Sequence, residues 1–211
     1  MANYLDTISN KLSYIGNFEN GEIQIVEDKL EQAGFGIVYE DQFIKVVRDP
    51  VVFPNNIEGG YVRILNQSED KDTGGCVIVP IFNDHIVFIR LFRHATRTWE
   101  IELPRGFQES GISEKENMEK EVREELGVSV DSFKKVGIIN PNTGLLSSSV
   151  GVYIVELEKM PALEASLDDV EVQSRIIVPI KELDEFVLGT PINCSISLSA
   201  IYLAKIQSFI N

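Results

Sequence analysis

Apolar and polar positions along the chain change period several times, and each change marks an element. Residues 76–82 read CVIVPIF and residues 85–92 read HIVFIRLF. The first run is apolar throughout, the pattern of a strand buried on both faces. Asn83 and Asp84 between the runs are a hairpin turn signal. Strand patterns also occupy 36–48, 61–65, 99–103, 133–139, 150–158 and 175–180. Helical spacing is read at 20–34, at 113–126, at 181–189 with its terminal Gly, and along the tail from Ser195 to Ile210. Pro50 and Pro54 punctuate the stretch before 61–65, and 68–75 reads as a polar, turn-rich loop. Residues 140–149 read as a loop and 163–171 as an acidic connection. Strands with a helix between them, followed by further helices, predict an α/β (α+β) protein built as an α/β/α sandwich around a mixed β-sheet.

The helix at 113–126 carries the chemistry. Ser113 and Glu116 have the S-x-x-E spacing of a capping box. Gly127 follows the last periodic residue, where a left-handed terminator is common. Met118, Val122 and Leu126 repeat every four residues and form the stripe that faces a core. Glu121, Glu124 and Glu125 stand at i, i+3 and i+4, so an α-helix places them as surface neighbours roughly 5–6 Å apart at Cβ. Each like-charge pair costs about 0.2–0.5 kcal/mol. A hard dication reverses that sign, since Mg²⁺ takes oxygen ligands and sits on one or two carboxylates plus substrate phosphate. The plain alternative is a solvated acidic face. Lys115, Glu116 and Arg123 point elsewhere and read as solvated positions.

Composition narrows the partners. With 19 Lys and Arg against 33 Asp and Glu, the net charge is −14, which argues against a nucleic-acid footprint or an anionic membrane surface. A polyanionic substrate then needs local cations or a metal. Cys76 and Cys194 lack metal-ligand spacing, and Cys76, at the head of an apolar run, reads as a buried thiol. The N-terminus has no signal-peptide pattern. No apolar run approaches the ~20 residues that span a bilayer. The expectation is a cytoplasmic protein.

The stretch from Gly106 to Val128 resembles the signature of the Nudix hydrolases: Gly, five residues, Glu, seven residues, then Arg-Glu-apolar-x-Glu-Glu-x-Gly-apolar. Gly106, Glu121, Val122, Glu124, Glu125, Gly127 and Val128 are in register. Two positions depart. Ile112 stands where the signature has Glu, and Lys120 where it has Arg, so the ion pair between those positions is lost. Lys120 retains Glu116 or Glu124 as a partner at helical spacing. The flanks resemble the ADP-ribose pyrophosphatase branch: an apolar strand, then Leu91-Phe92-Arg93, then Glu102-Leu103-Pro104-Arg105-Gly106 leading into the signature. Many relatives have Ala in place of Arg105. Asn140-Pro141-Asn142-Thr143-Gly144 matches a Pro-containing loop of that branch. The likeness runs over about residues 44–205. It divides the chain into an N-terminal extension at 1–43, with a helix and a strand, and a hydrolase domain at 44–211.

The resemblance implies Mg²⁺-dependent hydrolysis, with Mn²⁺ as the alternative ion. Glu121, Glu124 and Glu125 would hold the metal, with the backbone carbonyl of Arg105 or Gly106 completing the site. A carboxylate would position or deprotonate the attacking water: either one of the signature residues Glu121, Glu124 and Glu125, or an acid on a later loop, where Asp168, Asp169 and Glu171 are the candidates. Arg93 and Arg105, with Glu102 beside them, are candidates for contacting substrate, because a guanidinium grips phosphate in two places. Trp99 and Phe107 are expected to pack in the core rather than stack on a base. His94 and Arg97 read as surface cations and His85 as structural. The implied substrate is ADP-ribose, split to AMP and ribose 5-phosphate, and the implied assembly is a homodimer. The competing readings are a catalytically weakened nucleotide-binding module, and a hydrolase of another nucleotide sugar or a dinucleoside polyphosphate.

Overall fold

The computed structural model describes residues 16, 17, 19–30, 32–66, 74–109, 111–164 and 171–211. The chain forms two compact units, one from Met1–Asp72 with Asn142–Ser148 and one from Thr73–Pro141 with Ser149–Asn211.

The first unit is built on β1 (Gln24–Ile25), β2 (Gly36–Glu40), β3 (Ile44–Phe53) and β4 (Ile57–Asn66). β4 runs antiparallel along the whole of β3, while β2 and β1 pair with the other edge of β3 at its two ends. Asn55 and Asn56 take positive φ in the β3–β4 turn, a conformation Asn tolerates better than most residues. Pro50 lies inside β3 opposite Gly60 rather than ending a strand, and its carbonyl accepts the N–H of Val26. The helix expected at 20–34 is absent. That stretch holds β1 and a 3₁₀ turn at Glu27–Lys29. The alternation of Ile23 and Ile25 with polar neighbours suits a strand, and pairing of Ile25 with Val51 overrides the helical spacing. The strand pattern at 36–48 resolves into the hairpin of β2 and β3. Most of the polar loop at 68–75 and of the acidic connection at 163–171 lies outside the described residues.

The second unit carries β5 (Gly75–Phe82), β6 (His85–Arg93), β7 (Thr98–Glu102), β8 (Arg105–Phe107), α1 (Glu114–Glu121), β9 (Val130–Ile139), β10 (Val150–Leu157), β11 (Val172–Pro179), α2 (Leu183–Gly189) and α3 (Ser195–Ile206). Its sheet is ordered β11-β6-β5-β10-β9, with β5 and β10 parallel and the other pairs antiparallel. Alternate residues of β5 enter two separate cores. Val77, Val79 and Ile81 join Ile86, Phe88, Leu183, Ala200, Ile201 and Ala204 on the face covered by α2 and α3. Cys76 and Ile78 join Ile89, Leu91, Met118, Val122 and Leu126 on the face covered by α1. The uninterrupted apolar run of β5 therefore serves a sheet buried on both sides, and the α/β/α sandwich is as expected.

One irregularity positions the site. β5 and β6 pair only beside their turn, at Ile81 with Ile86 and Phe82 with His85. Beyond that they diverge. β7 pairs with β6 and the short β8, not foreseen from sequence, pairs with β5. Leu103 and Pro104 thus cross from one strand to the other inside the split. The Pro104 carbonyl accepts the N–H of Ile78 at 2.9 Å, and the Leu103 N–H donates to the buried hydroxyl of Ser197 at 3.0 Å. The Glu102–Gly106 segment is held by both neighbours, not draped over a surface.

Candidate active site

The acidic helix begins as its sequence dictates. The Ser113 hydroxyl accepts the Glu116 N–H, and the Glu116 carboxylate accepts the Ser113 N–H at 2.8 Å, closing the capping box. Glu116 is engaged there and is not a partner of Lys120. After Glu121 the helix widens into a π turn at Val122–Leu126, and Gly127 ends it at φ 69. An α-helix advances about 100° per residue, and the wider turn advances less. Glu124 therefore swings further from Glu121 than α geometry predicts, while Glu125 stays near it. Glu125 is buried, whereas the Glu124 side chain is 56% exposed and lies 3.5 Å from Lys120.

Gly106 faces this helix at close quarters. A Cβ placed on it would stand 1.9 Å from Oε1 of Glu121 and 2.1 Å from its Cδ. Only a residue without a side chain lets the carboxylate rest against the loop. Gly75, across the β5–β8 pair, is needed for the same reason, since its Cβ would lie 2.2 Å from the Gly106 carbonyl oxygen. One residue earlier, the N–H of Arg105 donates to Oε2 of Glu125 at 2.9 Å. The loop thus presents backbone to two carboxylates of the helix. Burial raises Glu121 to about 7, and the charge of Glu124 adds to the rise. Burial and the charge of Glu121 raise Glu125 to about 8, against the opposing pull of the Arg105 N–H and of Arg93. Glu171 is felt at both carboxylates. Asp168 and Asp169 lie outside the described residues.

Glu102 is the hub of the cations. Arg93 forks onto it, Nε to Oε1 at 3.0 Å and Nη2 to Oε2 at 2.8 Å, and Arg105 Nε reaches Oε2 at 2.8 Å. Burial pushes the Glu102 carboxyl upward, but the two guanidiniums outweigh it and hold it below its ordinary value. All three residues proposed for substrate contact are brought together, with both arginines engaged on one carboxylate. Trp99 and Phe107 are not in the core. Phe107 is 77% exposed at the end of β8, and Trp99 is half exposed. Trp99 is on the pleat opposite Glu100 and Glu102, where it stacks under Arg90 at 4.4 Å and meets Phe92 edge-on. Alternation along β7 sends its carboxylates to the buried face and leaves this aromatic at the uncovered rim. His94 and Arg97 are exposed, as expected.

Three supporting residues escaped the sequence reading. Asn117, fully buried on α1, accepts the Glu109 N–H at 3.1 Å, and its amide lies 3.7 Å from the Cys76 sulfur. The buried Gln108 donates to the carbonyls of Glu109 and Ile112. Arg175, buried in β11, donates Nε to the carbonyl of Glu125 at 2.7 Å and Nη1 to that of Glu164 at 3.0 Å. A lone charge in the apolar run of β11 was the only sequence signal among these. Burial pushes the Cys76 thiol up to about 12, which suits its packing role. Among the described residues, no three His, Cys, Asp or Glu side chains gather closely enough to hold an ion. No described helix is long and apolar enough to cross a membrane.

No protein-family model matches the chain. It is similar to the ADP compounds hydrolase NudE of Escherichia coli (strain K12), with 21% identity over 146 residues, or 69% of this chain and 77% of that protein. A crystal structure of an ADP compounds hydrolase matches 90% of this chain and 96% of its own, with a TM-score of 0.71 and 19% sequence identity.

Proposed function

We propose that this chain, a Nudix-type pyrophosphohydrolase resembling the ADP-ribose pyrophosphatase branch, splits ADP-ribose into AMP and ribose 5-phosphate. The observation that carries the reading is the contact of the Gly106 backbone with the Glu121 carboxylate, beside a Glu125 held by the Arg105 N–H. The donors are all oxygen, and the two carboxylates repel each other. That set fits Mg²⁺, which is held by one or two carboxylates with substrate phosphate supplying further ligands. Glu121 and Glu125 would hold the ion, with Glu124 and the carbonyl of Arg105 or Gly106 as additional donors. Bound there, Mg²⁺ or Mn²⁺ neutralises charge on the diphosphate and makes water more acidic.

The chain's own residues do the rest. Arg105 and Arg93, both anchored on Glu102, place positive charge beside the bend, and the N–H groups that Glu102 leaves available orient the diphosphate. A carboxylate, one of the helix glutamates or one among Asp168, Asp169 and Glu171, takes the proton of the attacking water. The field of Glu171 at Glu121 and Glu125 supports a place for it near the reacting phosphorus. Water oxygen bonds to phosphorus, the bridging P–O bond breaks, and the two phosphates leave on separate products. The ADP compounds named for the two similar proteins favour an ADP-containing substrate. Incubation with ADP-ribose and Mg²⁺ should release AMP. No AMP with the parent protein, or undiminished release with Glu121→Gln, would refute the assignment.

A second reading has its own observation. Glu124 is more than half exposed and lies 3.5 Å from Lys120, so a cation already sits beside one of the three carboxylates, which favours a domain that binds nucleotide without cleaving it. Calorimetric binding of ADP-ribose with no turnover across a panel of nucleotide sugars and dinucleoside polyphosphates would establish it. We also take the protein to be a cytoplasmic homodimer. The exposed Val38, Tyr39 and Phe43 around β2 support self-association, and light scattering and cell fractionation are the checks.

A further inference from the structure

The loop between Gly106 and α1 is tied to the helix by a residue that the Nudix signature does not single out. Glu109 makes two connections. Its N–H donates to Asn117 Oδ1 at 3.1 Å, and its carboxylate pairs with the Lys120 ammonium. Asn117 and Lys120 are one turn apart on the helix, so both bonds fall on one stripe. Lys120 lies between Glu109 and Glu124, 3.5 Å from the latter. Gln108 braces the loop from within through the carbonyls of Glu109 and Ile112, and its own N–H donates to the Gly74 carbonyl. The signature acid is missing at Ile112, whereas an acid three residues earlier reaches the cation that replaces the signature Arg.

We propose that Glu109 is a positioning residue that takes over the work of the absent acid at Ile112, acting through Lys120. This rests on the function proposed above. The Glu109 carboxylate draws the Lys120 ammonium toward the loop. Lys120, shared between Glu109 and Glu124, is thereby kept from closing over Glu121, where it would compete with a divalent cation for the carboxylate oxygens. The pairing also fixes the loop that carries Gly106 at the distance from which its backbone meets Glu121. Glu109 touches neither substrate nor the reacting atoms.

Calorimetric titration with Mg²⁺ alone, together with steady-state kinetics against Mg²⁺, tests the assignment. An exposed ion pair of this kind is worth about 0.2–1 kcal/mol, so Glu109→Gln should weaken Mg²⁺ binding up to about 5-fold. The Mg²⁺ concentration for half-maximal rate should rise in step, with kcat nearly unchanged. Action through Lys120 requires that Glu109→Gln do nothing further in a Lys120→Met background. It also requires that Glu109→Gln combined with Ile112→Glu recover most of the lost affinity. The inference is overturned if Glu109→Gln binds Mg²⁺ as the parent does, if the loss is the same without Lys120, or if Ile112→Glu restores nothing. A parent that binds no Mg²⁺ overturns the proposed function and this inference with it. A parent that binds Mg²⁺, unaffected by these changes, overturns this inference alone.

Discussion

Gly106→Ala is the sharpest perturbation of the site. The added Cβ would meet Oε1 of Glu121 at 1.9 Å, Cδ at 2.1 Å and Oε2 at 2.5 Å. Unstrained contacts of this kind are roughly 3.5 Å, so the carboxylate must retreat by about 1.5 Å. It sits at the end of a side chain that can turn, so the fold should survive with a stability loss of about 1 kcal/mol. Function should not survive equally. A displacement of about 1 Å in a reacting constellation costs on the order of 100-fold. We expect kcat/KM for ADP-ribose to fall by about that factor, with Mg²⁺ affinity falling as well. AMP release measured across an Mg²⁺ titration, beside a thermal melt, reads both quantities. Gly189→Ala is the control, because its Cβ would meet nothing within 4 Å. If Gly106→Ala works within threefold of the parent while remaining folded, Glu121 is not used where the structure puts it.

Titration should report the same carboxylates. Glu121 and Glu125 are raised to about 7 and about 8 from an ordinary 4.5, so the native state binds protons that the unfolded chain has released. Their stabilising contribution is complete below about pH 4.5 and is lost as pH climbs to about 8. Metal-free protein should therefore melt lower at pH 8.5 than at pH 6, with a shallower slope in Glu125→Gln, and Mg²⁺ binding near pH 7 should release protons detectable by calorimetry in buffers of different ionisation enthalpy. Glu102→Gln weakens the acceptor shared by Arg93 and Arg105; urea unfolding should show a loss of about 1.5–3 kcal/mol, the worth of a hydrogen bond to a charged group. Arg175→Lys keeps the charge but cannot span the carbonyls of Glu125 and Glu164. Hydrogen exchange should rise around 162–164 and in the π turn at Val122–Leu126, and unchanged protection there would remove Arg175 as the link between them.

Local patterns were legible in the residues themselves. The capping box at Ser113 and Glu116, the Gly127 stop, the Met118-Val122-Leu126 stripe and the Asn83-Asp84 hairpin are interactions over a few positions, so their signal survives in a linear string. The two-sided burial of β5 was equally plain, because only a covered sheet tolerates an unbroken apolar run. The helix expected at 20–34 failed because pairing with β3, more than twenty residues away, outweighed local spacing. The site itself was half visible. Sequence named Glu121, Glu124 and Glu125 together, but the π turn that carries Glu124 and Glu125 depends on packing beyond α1. Only the fold could show that β5 and β6 part to admit Glu102–Gly106, or that Arg93 crosses to Glu102. The same holds for the pairing of Glu109 with Lys120. Side-chain type is written in the chain, whereas the distance between two charges and the water left around them exist only once distant segments have met.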